Sequence, residues 1–177
     1  INVTTIDIET EYEGGFPQVE VADQKVLAIT IKNNIDGIYH VWGLQDYDTE
    51  KALIKPVNYV KCESEPELLA RFVSHWRQEE NLPDVITGWN VRFFDIPYLI
   101  NRINRVCGVD MVRQFSPWGL IDQRKIRRLN REEMTYDIKG IQTMDYLELF
   151  QKFGYSYGKQ ESYKLDHIAH VVLGEKK

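Results

Sequence analysis

No apolar run in this chain approaches the roughly 20 residues needed to cross a bilayer, and no basic, apolar, small-residue leader stands at its start. A membrane partner is therefore not expected, and a cytoplasmic location is. Cysteine is scarce: Cys62 and Cys107 stand far apart with no Cys-x-x-Cys pairing, which predicts reduced thiols in a core and neither a disulfide framework nor zinc. Positive charge is also short. Lys and Arg number 22 against 27 Asp and Glu, a net charge of -5, so any nucleic-acid partner has to be held by a local basic patch or through bound cations. Repeats, low-complexity stretches and inter-domain linkers are lacking. At 177 residues, 43% hydrophobic and 28% charged, the chain has the composition of one ordinary globular domain. It opens on Ile1 without an initiator methionine and reads as a single domain, residues 1–177, cut from something longer.

Against these absences stands Val3-Thr4-Thr5-Ile6-Asp7-Ile8-Glu9-Thr10. Its β-branched residues favour a strand, on which Thr5, Asp7 and Glu9 point one way and Thr4, Ile6 and Ile8 the other. The isoleucine face needs a core. The acidic face places two like charges side by side, which a divalent cation would balance and plain solvation would also accommodate.

After glycine and proline punctuation at Gly14-Gly15-Phe16-Pro17, Lys25–Lys32 and Ile38–Trp42 read as further strands of an antiparallel meander, with a short strand at 57–61. Phe16 sits at a loop tip, free to stack on a base or to fold over the core. Ser64-Glu65-Pro66-Glu67 predicts a capping box and a helix whose buried stripe is Leu68, Leu69, Phe72, Val73 and Trp76, with His75 at the surface. Residues 84–89 form a short buried strand. A turn through Asn90 to Asp95 leads into a helix stopped by Gly108, with Asp95 placed to cap it. That junction is also where open α/β sheets put ligand-binding groups.

Arg124, Lys125, Arg127, Arg128 and Arg131 crowd into eight residues, and the return through Tyr136–Gly140 predicts a hairpin with a cationic surface able to meet phosphates. A helix from Thr143 to Gly154, an aromatic loop at 155–159 and a last helix over 162–172 complete the chain. Strands first and helices later predict a mixed sheet with helices packed against it.

Hydrolysing a phosphodiester requires an activated water and relief of the charge that builds on phosphate and leaving oxygen. Two divalent cations roughly 4 Å apart meet both needs, and carboxylates suit magnesium or manganese. Asp7, Glu9 and Asp95 are the candidate ligands.

Asp7-Ile8-Glu9-Thr10 resembles the first exonuclease motif of family B replicative DNA polymerases, and Gly88-Trp89-Asn90-Val91-Arg92-Phe93-Phe94-Asp95 resembles the second. Phe115-Ser116-Pro117-Trp118-Gly119 and Asp145-Tyr146-Leu147 look like the T-even-type bacteriophage members, which would place the chain in host cytoplasm. The resemblance implies a ribonuclease H-like α/β fold with a hairpin insertion and a 3′→5′ proofreading exonuclease acting on single-stranded DNA ends, joined to polymerase domains of a parent chain. It implies that Asp7 bridges two metals, Glu9 holds one near the terminal 3′ hydroxyl and Asp95 holds the other. Asn90 would position the terminal nucleotides, Phe16 would stack on frayed bases, and Arg124, Lys125, Arg127 and Arg128 would line the strand-separating hairpin.

The family's third motif, Tyr-x-x-x-Asp, is not present: Tyr163 and Asp166 have the wrong spacing, Asp145 begins an earlier helix, and neither His167 nor His170 supplies the His-x-x-x-x-Asp variant. The two-metal site is then incomplete, with three of its four ligands, and weak or no turnover is expected. Two rival readings remain: a non-catalytic single-strand-binding module, and another ribonuclease H-like nuclease.

Overall fold

β1 (Val3–Thr10) lies inside a six-stranded mixed sheet, seen in a computed structural model that describes residues 1–128 and 131–174, the side chains of Arg128 and Arg131 excepted. Its antiparallel neighbour is β2 (Val26–Asn33), which in turn pairs antiparallel with β3 (Tyr39–Gly43). β4 (Val57–Lys61) pairs with β3 in parallel. On its other side β1 runs parallel to β5 (Val85–Gly88), which runs parallel to β8 (Gln142–Asp145). The spatial order is β4-β3-β2-β1-β5-β8.

The predicted alternation decides how this sheet is buried. Ile6 and Ile8 lie within the core, while Thr5, Asp7 and Glu9 are exposed on the opposite face. Each buried isoleucine contributes roughly 1.5–3 kcal/mol of apolar transfer. The core is closed by α1 (Glu65–Trp76) and α2 (Asp95–Cys107), whose buried residues include Leu68, Phe72 and Trp76 on one helix and Ile96, Leu99 and Ile103 on the other. A buried ion pair staples them: Arg102 donates to both oxygens of Glu65 at 2.7 Å and to the carbonyls of Ala22 and Asp23, while Glu65 accepts the Val26 N–H at 2.8 Å.

Beyond α2 come α3 (Val109–Arg113), a separate hairpin of β6 (Ile121–Arg128) and β7 (Arg131–Ile138), then α4 (Tyr146–Phe153) and α5 (Leu165–Leu173). The mixed sheet with helices packed against it, and the hairpin insertion, match the sequence reading. No helix among the described residues is long and apolar enough to cross a membrane.

Four local expectations need correction. Ser64 does accept the Glu67 N–H, but Glu67 reaches back to the Glu63 N–H at 2.9 Å, one residue further than a reciprocal capping box. His75 is half-buried and not fully at the surface: it packs against the rings of His40 and Trp42, with centroids 4.7 Å and 5.0 Å away. Burial, then the neighbouring His40, lowers its pKa. Gln142–Asp145 continues the parallel sheet beside β5 and does not begin a helix; α4 starts only at Tyr146, with Asp145 as its N-cap. Asp95 does not cap α2. Phe94 is the N-cap residue, without a side-chain bond, and Asp95 is the first helical residue.

Candidate active site

Because Asp95 is released from capping, its carboxylate turns across to the sheet. Oδ1 accepts the backbone N–H of Ile8 at 3.1 Å, between Asp7 and Glu9 in sequence, and the residue is 4% exposed. Burial first, and the adjacent negative charge of Asp7 second, push the Asp95 carboxyl up to about 7. The hydrogen bonds from Ile8 and from its own backbone oppose that rise, and the charge of Asp145 adds to it. A carboxyl this far from its ordinary range, sitting beside a second one, marks a place where negative charge is concentrated.

Asp7 and Glu9 project from the exposed face of β1, opposite Thr30 and Ala28 of β2. Glu9 also borders a groove of roughly 600 Å³ lined by strand residues such as Val41 and Tyr59 and by residues of the 45–54 segment. Among the described residues, no three His, Cys, Asp or Glu side chains converge closely enough to hold a metal ion. The fold thus brings Asp7 and Asp95 within electrostatic reach and puts Glu9 on the strand face of Asp7, without gathering all three around one point. As a donor set, hard carboxylate oxygens with a concentrated negative charge fit a divalent cation.

The approach of Asp95 to β1 depends on the turn before it. Gly88 ends β5 where a Cβ would stand 2.7 Å from the Ile6 carbonyl oxygen, so a side chain there would push β5 off β1. Asn90 follows with φ +61°, a left-handed conformation that asparagine tolerates better than most residues. Its carbonyl accepts the N–H groups of Phe93 and Phe94, closing the turn. Beneath the turn, Asp145 accepts the N–H of Asn90 at 3.1 Å and of Arg92 at 2.9 Å, as well as those of Leu147 and Glu148 at the start of α4.

Phe16 is 72% exposed, and its ring rests 5.3 Å from that of Phe94, the residue before Asp95. The loop that carries it is tied down by Gln24, which accepts the Glu13 N–H and donates to the Gly15 carbonyl. Phe16 therefore stands against the residue that precedes Asp95, with most of its surface exposed.

Residues 1–168 match the family described as DNA polymerase family B, exonuclease domain. The chain belongs to that family. It is 30% identical to the DNA-directed DNA polymerase of Escherichia phage RB69 over 98% of its own length and 21% of the phage protein's. Identity to the DNA-directed DNA polymerase of Enterobacteria phage T4 is 27%, over 96% and 21%. The DNA polymerase catalytic subunit of Elephantid herpesvirus 1 is 30% identical over 93% of this chain and 16% of its own. The chain spans about a fifth of the length of the phage polymerases it matches.

The hairpin of this exonuclease domain is less cationic than its β6 sequence. Arg124 pairs with Asp137 at 2.6 Å, Lys125 approaches Glu132 at 3.8 Å, and Arg127 stands opposite Glu132 in the register. The acidic partners arrive on β7, which a count along β6 does not include. The side chains of Arg128 and Arg131 lie outside the described residues. The hairpin is joined to the carboxylate region by Thr135, whose hydroxyl donates to the Arg92 carbonyl at 3.1 Å.

Asp145 is the residue that sequence reading left without a role. One signal pointed to it: Asp145 followed three residues later by Glu148 is a helix-start pattern, and it marks the boundary between β8 and α4.

Proposed function

We propose that this exonuclease domain removes nucleotides from the 3′ end of single-stranded DNA by phosphodiester hydrolysis, as the proofreading part of a longer DNA polymerase. The observation that carries the reading is the buried Asp95 carboxylate, held against β1 by the Ile8 N–H and driven up to about 7 beside Asp7. Asp7, Glu9 and Asp95 would hold magnesium or manganese. Bound there, the cations would activate the attacking water and neutralise charge growing on the phosphate.

The chain's own residues do the rest. Asn90, fixed in its left-handed turn, orients the terminal nucleotides, and Phe16, largely exposed, stacks on a base of the frayed strand. Arg127, with Arg124 and Lys125, meets backbone phosphates, weakened by the acidic partners on β7. Substrate enters as a single strand because a stacked duplex end cannot place its terminal phosphate against a buried carboxylate.

With no Tyr-x-x-x-Asp in these 177 residues, the carboxylate set is three of four and hydrolysis by this chain alone is slow. The domain therefore binds one divalent ion weakly. The test is digestion of a 5′-labelled single strand in manganese, comparing this chain with one extended C-terminally by about 60 residues of its parent gene product, a reach set by typical domain length. A 3′-shortening ladder that strengthens in the longer chain supports the reading. Equal, robust activity in both overturns the incompleteness. Salt-sensitive binding with no metal requirement and no cleavage in either would mark a non-catalytic single-strand-binding module instead.

A further inference from the structure

Asp145 is 2% exposed, and both of its carboxylate oxygens are engaged by main-chain N–H groups from two separate elements. Oδ1 takes the N–H groups of Asn90, Leu147 and Glu148; Oδ2 takes that of Arg92. A helix N-cap accounts for Leu147 and Glu148. It does not account for Asn90 and Arg92, which lie more than fifty residues earlier, on the turn between β5 and α2. In that turn, with Asn90 left-handed, the N–H groups of Asn90 and Arg92 converge on one acceptor, an arrangement of the nest kind that suits an anion, and the Asp145 carboxylate occupies it.

We infer that Asp145 is a positioning residue of the exonuclease site: through the Asn90 and Arg92 N–H groups its carboxylate fixes the turn that presents Asn90 to the substrate and aims Asp95 at β1. This rests on the exonuclease reading above. Three further contacts agree with it. The Arg92 guanidinium, on the same turn, donates to the Thr143 carbonyl on β8 at 2.9 Å and pairs with Glu148 on α4 at 3.2 Å. Thr135 holds the Arg92 carbonyl from the hairpin side. The turn is thus clamped to β8 and α4, the two elements that Asp145 joins. An uncharged side chain at 145 would leave α4 folded but the turn free to relax, because a neutral acceptor bonds the nest more weakly than a carboxylate.

The test uses the 177-residue chain with a short 5′-fluorescein single strand in calcium, carrying either a free 3′ hydroxyl or a 3′ phosphate. Asp145→Asn removes the charge and sets an amide NH₂ against one N–H of the nest. Asp145→Ser keeps a good N-cap for α4 but has one hydroxyl and cannot span both N–H groups, so it stands in if the asparagine variant does not fold. Leu147→Ala destabilises α4 without touching the nest. The expected result is that the Asn90 and Arg92 amide proton resonances move upfield in both Asp145 variants and that affinity for the free 3′ end falls about tenfold. Leu147→Ala, with a comparable loss of Tm, keeps wild-type affinity.

Unchanged affinity in the Asp145 variants, or an equal loss in Leu147→Ala, reduces Asp145 to a helix cap and overturns the inference alone. If the wild-type chain does not prefer the free 3′ hydroxyl and Asn90→Gly changes nothing, the exonuclease reading fails and the positioning role falls with it.

Discussion

The backbone N–H of Ile8 donates to Oδ1 of Asp95 across 3.1 Å, joining the strand between Asp7 and Glu9 to the first residue of a helix 87 positions later. One hydrogen bond thereby ties the Asp95 carboxylate to the strand that carries Asp7. It also holds Asp95 where burial and Asp7 oppose its ionisation.

Stability should depend on pH through this group. Asp95 titrates near 7 in the folded chain against an ordinary 3.8, so between those values the folded state binds more protons than the unfolded one. Its contribution is complete below about 4 and is lost as pH rises through about 7. A shift of roughly 3 pKa units corresponds to about 4 kcal/mol. Urea unfolding at pH 5 and pH 8.5 should show the decline, Asp95→Asn should flatten it, and manganese at pH 8.5 should recover part of it. A wild-type stability that rises over this interval would contradict the assignment.

Removing Asp7 should act at two places. Asp7→Ala is expected to abolish manganese binding measured calorimetrically, and to move the Asp95 carboxyl back toward its ordinary range because the second-largest cause of its rise is gone. A ¹³C titration of the Asp95 carboxyl carbon reads the second effect independently of any metal. Full metal affinity in the variant would take Asp7 out of the site.

The turn before Asp95 makes a steric prediction. Gly88→Ala places a methyl 2.7 Å from the Ile6 carbonyl and should cost about 1–3 kcal/mol, the usual range for overpacking. Asn90→Ala should cost only part of the roughly 1–2 kcal/mol left-handed penalty at φ +61°, the part that asparagine's short polar side chain offsets, while Asn90→Gly stays near wild type or gains because it has no β-carbon. Thermal unfolding separates these from the proposed substrate role of Asn90: the glycine variant should keep its Tm and lose affinity for a single-stranded 3′ end.

The Glu65–Arg102 pair should be dispensable together and not singly. Arg102→Met leaves a buried carboxylate that keeps only the Val26 N–H, a loss of about 3–5 kcal/mol, whereas Glu65→Leu with Arg102→Met should recover most of it. Chemical denaturation of the four members of the cycle gives the coupling. The loop of residues 13–24, and Phe16 with it, should loosen in the single variant because Arg102 also holds the Ala22 and Asp23 carbonyls.

Local chemistry alone determined much of this protein. Strict alternation fixed which face of β1 carries Asp7 and Glu9, the 3.6-residue stripe fixed the buried side of α1, and two short motifs in order pointed to the family. These are readable because each depends only on neighbours in sequence. Tertiary structure decided the remainder. Asp95 reads as an N-cap until β1 offers its carboxylate a better donor in Ile8. The hairpin reads as cationic until β7 brings Asp137 and Glu132 opposite. Asp145 reads as the start of a helix until the left-handed turn at Asn90 folds back over it. In each case the deciding partner is distant in the chain, and a carboxylate takes whichever donors the fold delivers to it.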